Sequence, residues 1–248
     1  VGNRTRKGQA SDLARVIRKG GAPLDALNLG HLRQLYDSEI RFWDAQLAAL
    51  LEGLAELGLR GNTILIITAD HGEEFQEHGL LGHGAHLFDE SIRVPFVIVG
   101  PTLVGPTLEG ARSNIPAQGI DLFPTVAGLL GFSPPANLPG QDLLAQARAR
   151  PVFSETGYGR TDGATDVELV AVRWSNWKLI QAPGLRKSSL FNLRRDSAER
   201  TDLFGTEKVA APLSRFLDEW RASVPPPPAV QAQDPGLHDK LEALGYVD

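Results

Sequence analysis

Asp70-His71-Gly72 follows directly on the apolar run Ile64-Leu65-Ile66-Ile67, and four of the six histidines, His71, His78, His83 and His86, crowd into the residues just after it. Asp70 and His71 put a hard carboxylate oxygen beside an imidazole nitrogen, a pairing that suits half of a divalent-metal site. The same residues carry a second reading. Asp70 and Glu73 have the spacing of a helix capping box, in which Asp70 would cap a turn containing Glu74 and Phe75. His83 stands between Gly82 and Gly84, so the backbone can come close to a ligand, and as an imidazolium it could pair with an anion. Taken without context, a histidine in a loop reads as a solvated one. His78 and His86 carry less weight, and Arg93, three and four residues from Glu90 and Asp89, reads as a local ion pair.

These residues need elements to hold them. The run at 64–67 is too short for a helix and has the continuous aliphatic pattern of a strand buried on both faces. Ligands of open α/β sheets collect beyond the C-terminal ends of such strands, where Asp70 and His71 fall. Before it, Leu32, Tyr36, Ile40, Trp43, Leu47 and Leu54 recur at intervals of three and four, predicting a long amphipathic helix from an Asn28 N-cap to near Gly58, with Trp43 packed in the core. Helix, turn and strand make half of a βαβ unit whose earlier strand is not in the sequence. A shorter helix is predicted over 11–19. After the histidine-rich segment, Pro95 opens a second buried strand at 96–100, and Asp121 caps a helix reaching Leu130. The composition then changes: strands predicted at 152–154, 168–172, 177–181 and 189–193 form a small antiparallel sheet, with Trp174, Trp177 and Trp220 in its core and a solvated charged turn at 194–200. A helix follows at 212–222, then a polyproline spacer at 225–228 and a tail helix at 237–247. The expected organisation is an α/β part over 1–150, a small antiparallel subdomain over 151–224 and a spacer with tail over 225–248.

At 248 residues and 42% hydrophobic, the chain is long enough to bury a sizeable core. A formal charge of −5 with the two signs interspersed offers no basic stripe, which argues against nucleic acid as a partner. With no cysteine, disulfides, thiolate metal sites and cysteine nucleophiles are excluded within these residues. No run approaches the length of about 18 apolar residues that a membrane helix needs, and the first residues contain no apolar signal region, so the compartment is not legible.

The stretch TADHGEEFQEHGLLGHGAHLFDESIRVPFVIVGP resembles the second signature region of the sulfatases, within the alkaline phosphatase superfamily. Thr-Ala-Asp-His-Gly, His-Gly, Gly-His-Gly and Arg-Val-Pro are all in register. LGHLRQLYDSEIRFWDAQLAALLEGLAELG is similar to the helix that precedes that strand in the family, GIDLFPTVAGLLG resembles its Asp-x-x-Pro-Thr helix, and WKLI with SLFNLRRDSAERTDL resembles its C-terminal hairpin. The resemblance implies part of a mainly parallel sheet flanked by helices, with a small antiparallel C-terminal subdomain. It implies that Asp70 and His71 bind one divalent metal, usually calcium in this family, with zinc or manganese also compatible with an imidazole ligand. His83 falls where many members carry a lysine or histidine contacting the sulfate, giving it a catalytic and substrate-binding role. The substrate class implied is a small-molecule or carbohydrate sulfate ester.

The chain departs from the family pattern in two respects. The Cys/Ser-x-Pro-x-Arg motif, whose first residue becomes the formylglycine nucleophile, is absent, and so are the paired aspartates that complete the metal site. The expectation is a C-terminal portion of a sulfatase that carries half of an active site, does not hydrolyse sulfate esters alone, and associates through exposed sheet edges. Two alternatives remain: a phosphodiesterase or phosphoethanolamine transferase of the same superfamily, and a non-catalytic truncated domain that binds a partner or anion.

Overall fold

The computed structural model describes residues 24–100, 112–145, 147–161 and 164–224. The helix predicted at 11–19, the spacer at 225–228 and the tail helix at 237–247 lie outside them.

Helix α1 (Ala26–Glu56) is one continuous rod closed by Leu57, with Gly58 at φ +68° turning the chain. Its N-cap is Asp25 and not Asn28: the Asp25 carboxylate accepts the Asn28 backbone N–H at 2.8 Å and the Asn28 side-chain amide at 2.9 Å. Asn28 thus occupies the third helical position, where its free N–H needs an acceptor from the preceding turn. No residue of α1 is buried, which corrects the expectation of a packed face. Trp43 is 51% exposed; it lines an open groove of about 280 Å³ with Leu47, Leu50, Leu65 and Ile67. The apolar stripe is real, but one narrow strand beneath it cannot cover it.

That strand is β1 (Leu65–Thr68). Between it and β4 (Phe96–Val99) lie β2 (Glu74–Phe75), β3 (Leu81–Gly82) and the short helix α2 (Asp89–Ile92). Beyond a 3-10 turn, helix α3 (Leu122–Leu129) follows, capped by Leu130. The buried Asp121 carboxylate takes the Gln118 and Gln141 backbone N–H groups, at 2.9 and 2.8 Å, together with Arg150. Where β1 and β4 were expected to be buried on both faces in a mainly parallel sheet, they pair with each other, antiparallel, from Leu65↔Val99 to Thr68↔Phe96. The connection between them carries no crossover helix, so β4 returns against β1. Val97 and Val99 stay 44% and 52% exposed.

The better-packed half is C-terminal. Strands β5 (Val152–Thr161), β6 (Ala164–Trp174), β7 (Trp177–Ala182) and β8 (Lys187–Asn192) form an antiparallel sheet in sequence order, followed by α4 (Ala210–Ser223). Period-two alternation along β6 supplies two cores. Val170 and Val172 face α4 with Leu179, Leu190, Leu213 and Leu217, and Trp174, Trp177 and Trp220 pack around them as expected. Leu169 and Ala171 face the other way, with Ile180 and Phe191, onto Leu87 and Phe88 of the histidine-rich segment. One strand thereby fastens the helix on one side and the candidate site on the other. Mixed α/β architecture with a C-terminal antiparallel sheet is what the sequence predicts.

The two sheets should differ in local stability, because a two-stranded ribbon with one open face is marginal by itself. Amide hydrogen exchange is expected to be fast at Leu65 to Thr68 and slow at Leu179 and Leu190; equal protection would refute this.

Candidate metal and anion site

The site is built by a hairpin. Strands β2 and β3 pair Glu74 with Gly82 and Phe75 with Leu81. Glu73 and His83 stand just outside this two-pair ladder, each next to one end of the Glu74–Gly82 pair. Accordingly His83 Nδ1 lies 3.2 Å from Glu73 Oε2, and the His71 and His83 rings stack at 3.8 Å between centroids. Gly82 and Gly84 flank His83 at φ +99° and +79°, conformations that side chains strongly disfavour. Gly72 has a different reason to be glycine: a Cβ there would collide with the Glu90 carbonyl, against which the chain packs through a Gly72 N–H bond to the Ser91 carbonyl oxygen at 2.8 Å.

No helix begins at Asp70, since Glu74 and Phe75 are strand, so the capping-box reading is set aside. Asp70 lies exposed just past β1, and its Oδ1 accepts the His71 N–H at 3.0 Å. That bond first, and the nearby His71 and His83 rings, hold its carboxyl below the ordinary aspartate range. His71 Nδ1 lies 2.8 Å from the Gly72 carbonyl oxygen. A carbonyl can only accept, so Nδ1 donates its proton there, which leaves Nε2, 3.6 Å from Asp70 Oδ2, as the nitrogen available to a metal. Two donors on one divalent ion lie roughly this far apart. Glu73 adds a further carboxylate, its donor atom and those of His71 and His83 lying within 4.8 Å of one another. The donor set fits a divalent metal, with oxygen for calcium and imidazole for zinc or manganese. The structure therefore brings Asp70, His71 and His83 together and adds Glu73, which the hairpin register could have revealed.

A polar network fixes this loop to the rest of the molecule. Arg33 of α1 donates to Glu77 at 2.7 Å and to the Phe75 carbonyl at 3.1 Å. From β5, Thr156 Oγ1 and the Arg160 N–H each donate at 2.8 Å, to the Gly84 and Ala85 carbonyls. The expected pairing of Arg93 with Asp89 and Glu90 gives way to longer-range partners. Asp89 turns to Lys178 at 2.9 Å and Arg173 at 3.6 Å, and Glu90 turns to His78 at 2.5 Å. Lys178 is fully buried and also meets Glu199 at 2.8 Å. Glu199 is the one buried residue of the charged turn predicted to be solvated. Its φ of +53° turns the side chain inward, where Oε2 accepts the Asp89 N–H at 2.7 Å. Burial pushes its carboxyl above the ordinary range against the pull of Lys178.

The family model described as Sulfatase matches residues 2–132 of the chain. The chain belongs to the sulfatase family. It is 34% identical to the uncharacterized sulfatase YidJ of Escherichia coli over 71% of its own length and 35% of that protein's. Against the choline-sulfatase of Rhizobium meliloti it is 30% identical, covering 71% of this chain and 34% of the relative. The phosphonate monoester hydrolase of Agrobacterium radiobacter superposes with a TM-score of 0.65 at 25% identity, over 78% of this chain and 41% of that one, in keeping with the alkaline phosphatase superfamily. The chain thus spans about a third of the length of the curated sulfatases it matches.

Within this sulfatase chain, Lys178 is the residue on which the loop-to-sheet network turns. Lys178→Met would leave the buried Glu199 without its cation and Asp89 with Arg173 alone, and is expected to destabilise the fold by about 3–5 kcal/mol, read as a lowered denaturant midpoint. A change below about 1 kcal/mol, the value of an exposed pair, would show the pair to be dispensable.

Proposed function

We propose that this chain belongs to a metal-dependent hydrolase of sulfate esters, to which it contributes part of the metal and sulfate site. The observation that supports this reading is the convergence of Asp70, His71 and His83 at the end of β1, with His71 Nε2 facing Asp70 at 3.6 Å and the His83 ring stacked on His71, in a chain of the sulfatase family. A divalent cation held there, calcium by family resemblance, would polarise the S–O bonds of a bound ester and stabilise charge developing on the transferring group. Asp70 stays ionised to receive it. His71 is held in the tautomer that can ligate, and Glu73 orients His83, whose ring is the group offered to the anionic substrate.

The nucleophile must come from elsewhere, because the sequence has neither a cysteine nor a serine in the Ser-x-Pro-x-Arg pattern. Purified chain is expected to bind calcium, zinc or manganese in isothermal titration yet leave an aryl sulfate unhydrolysed. Asp70→Asn should weaken binding of the metal at least about tenfold. Robust metal-dependent turnover by the unaltered chain would overturn the half-site reading, and calcium affinity indifferent to Asp70→Asn would overturn the metal assignment.

The likeness to a phosphonate monoester hydrolase favours a second reading, in which the transferred group is phosphoryl or phosphonyl. Members using two metals call for a further histidine downstream, and His238 is the sole histidine after His86. Competition between sulfate and phenylphosphonate for the metal-loaded chain separates the two readings.

A further inference from the structure

The β2–β3 hairpin carries a second cluster on its buried face. Glu74 is 1% exposed and His86 is 8% exposed, and with Glu90 they present donor atoms that all lie within 4.8 Å of one another. Three features set this cluster apart from an ordinary buried ion pair. Glu74 is held as a ligand would be, its Oε1 accepting the His78 and Leu80 backbone N–H groups at 2.8 and 2.9 Å while Oε2 is turned toward His86. His86 Nε2 stands 2.7 Å from that oxygen without hydrogen-bond alignment, and among the described residues neither ring nitrogen of this buried histidine has a hydrogen-bond partner. Glu90 is oriented from behind by His78, whose Nδ1 is 2.5 Å from Glu90 Oε1 and whose Nε2 donates to the Glu199 carbonyl oxygen at 3.1 Å.

Glu74 is buried and Glu90 half-buried, and two carboxylates so far removed from water are costly unless their charge is matched. His78 answers for one of them. At the other, a ring nitrogen and a carboxylate oxygen face each other at a separation close to the roughly 3 Å between neighbouring ligands of one small divalent ion, with nothing aligned between them. We infer that Glu74, His86 and Glu90 form a second divalent-metal site, on the face of the hairpin opposite Asp70 and His71, suited to zinc or manganese. One imidazole and two carboxylates match those ions, and two negative charges match theirs. Three protein donors leave room for a water or another oxygen ligand. With Glu74 on β2, His86 after β3 and Glu90 in α2, an ion there would cross-link the three segments that carry the other site. It would act by holding that loop in place, without touching the substrate.

The site stands independently of the proposed activity, and its test is arranged accordingly. In the full chain carrying Asp70→Asn and His71→Asn, which removes the first site, zinc titrated by calorimetry is expected to bind at one equivalent. Adding His86→Asn is expected to abolish that equivalent. Circular dichroism checks that each variant is folded. Histidine-ring nitrogen NMR of the Asp70→Asn/His71→Asn chain, which leaves His86 intact, covers the case in which His86→Asn fails to fold: zinc should shift the His86 nitrogens and leave those of His31 unmoved. Absence of a bound equivalent in that background, binding that survives His86→Asn in a folded protein, or His86 nitrogens that ignore zinc would each overturn the proposal.

Discussion

The pairing of Glu74 with Gly82 is the constraint on which the histidine-rich region depends. Successive strand residues point to opposite faces, so a one-residue slip would exchange them. Glu73 points outward, its side chain 26% exposed, to meet His83; Glu74 points inward, 1% exposed, to meet His86. Two adjacent glutamates of one sequence motif are thereby assigned to two separate environments by nothing more than register. The turn that closes the hairpin is set locally, by Gln76 and Gly79 at positive φ and by the Gln76 N–H bonded to the Leu80 carbonyl oxygen at 2.8 Å.

A hairpin with two residues in each strand cannot hold that register alone. Its stability is borrowed from both sides. Tyr36 and Arg33 of α1 clasp Phe75 and Glu77, and β5 grips the backbone at Gly84 and Ala85. Beneath it, Leu87 and Phe88 enter the core made by Leu169, Ala171, Ile180 and Phe191. Apolar burial supplies the driving force there, but it is non-directional. The direction comes from the polar contacts, which accept few alternative geometries.

What the sequence revealed of this arrangement was local. Asp70-His71-Gly72 at a strand end, the helix ending near Gly58 and the strand at 168–172 are patterns within a few residues, and they appear in the structure. Residues whose role depends on distant partners were not legible. Trp43 has helical spacing typical of a core residue, yet its burial depends on what lies across from it, and half of it is exposed. Glu199 looks like one more charge in a solvated turn until its left-handed backbone delivers it to Asp89, 110 residues away in sequence. His86 reads as a solvated loop histidine because loops are exposed by default, and the packing of its neighbours Leu87 and Phe88 onto the sheet carries it inside. The capping-box pattern at Asp70 and Glu73 failed for a related reason: the chain after Gly72 pairs with 81–82, and a strand ladder overrides a helix-start signal.

The joint between the histidine-rich loop and the C-terminal sheet is polar where an apolar one would suffice for stability. Lys178 between Asp89 and Glu199, with Arg173 and His78 at its margins, occupies positions that well-packed aliphatic residues could fill at equal or lower free energy. An apolar joint, however, tolerates small slides of one surface over another, whereas a buried ammonium held 2.9 and 2.8 Å from two carboxylates has few low-energy arrangements and many costly ones. The stacked rings of His71 and His83, with Asp70 beside them, require placement of that order, since a ligand set displaced by about an ångström loses its geometry. The buried lysine is thus best understood through what it prevents: the hairpin can sit on the sheet in a single register, and the groups at its outer edge inherit that position.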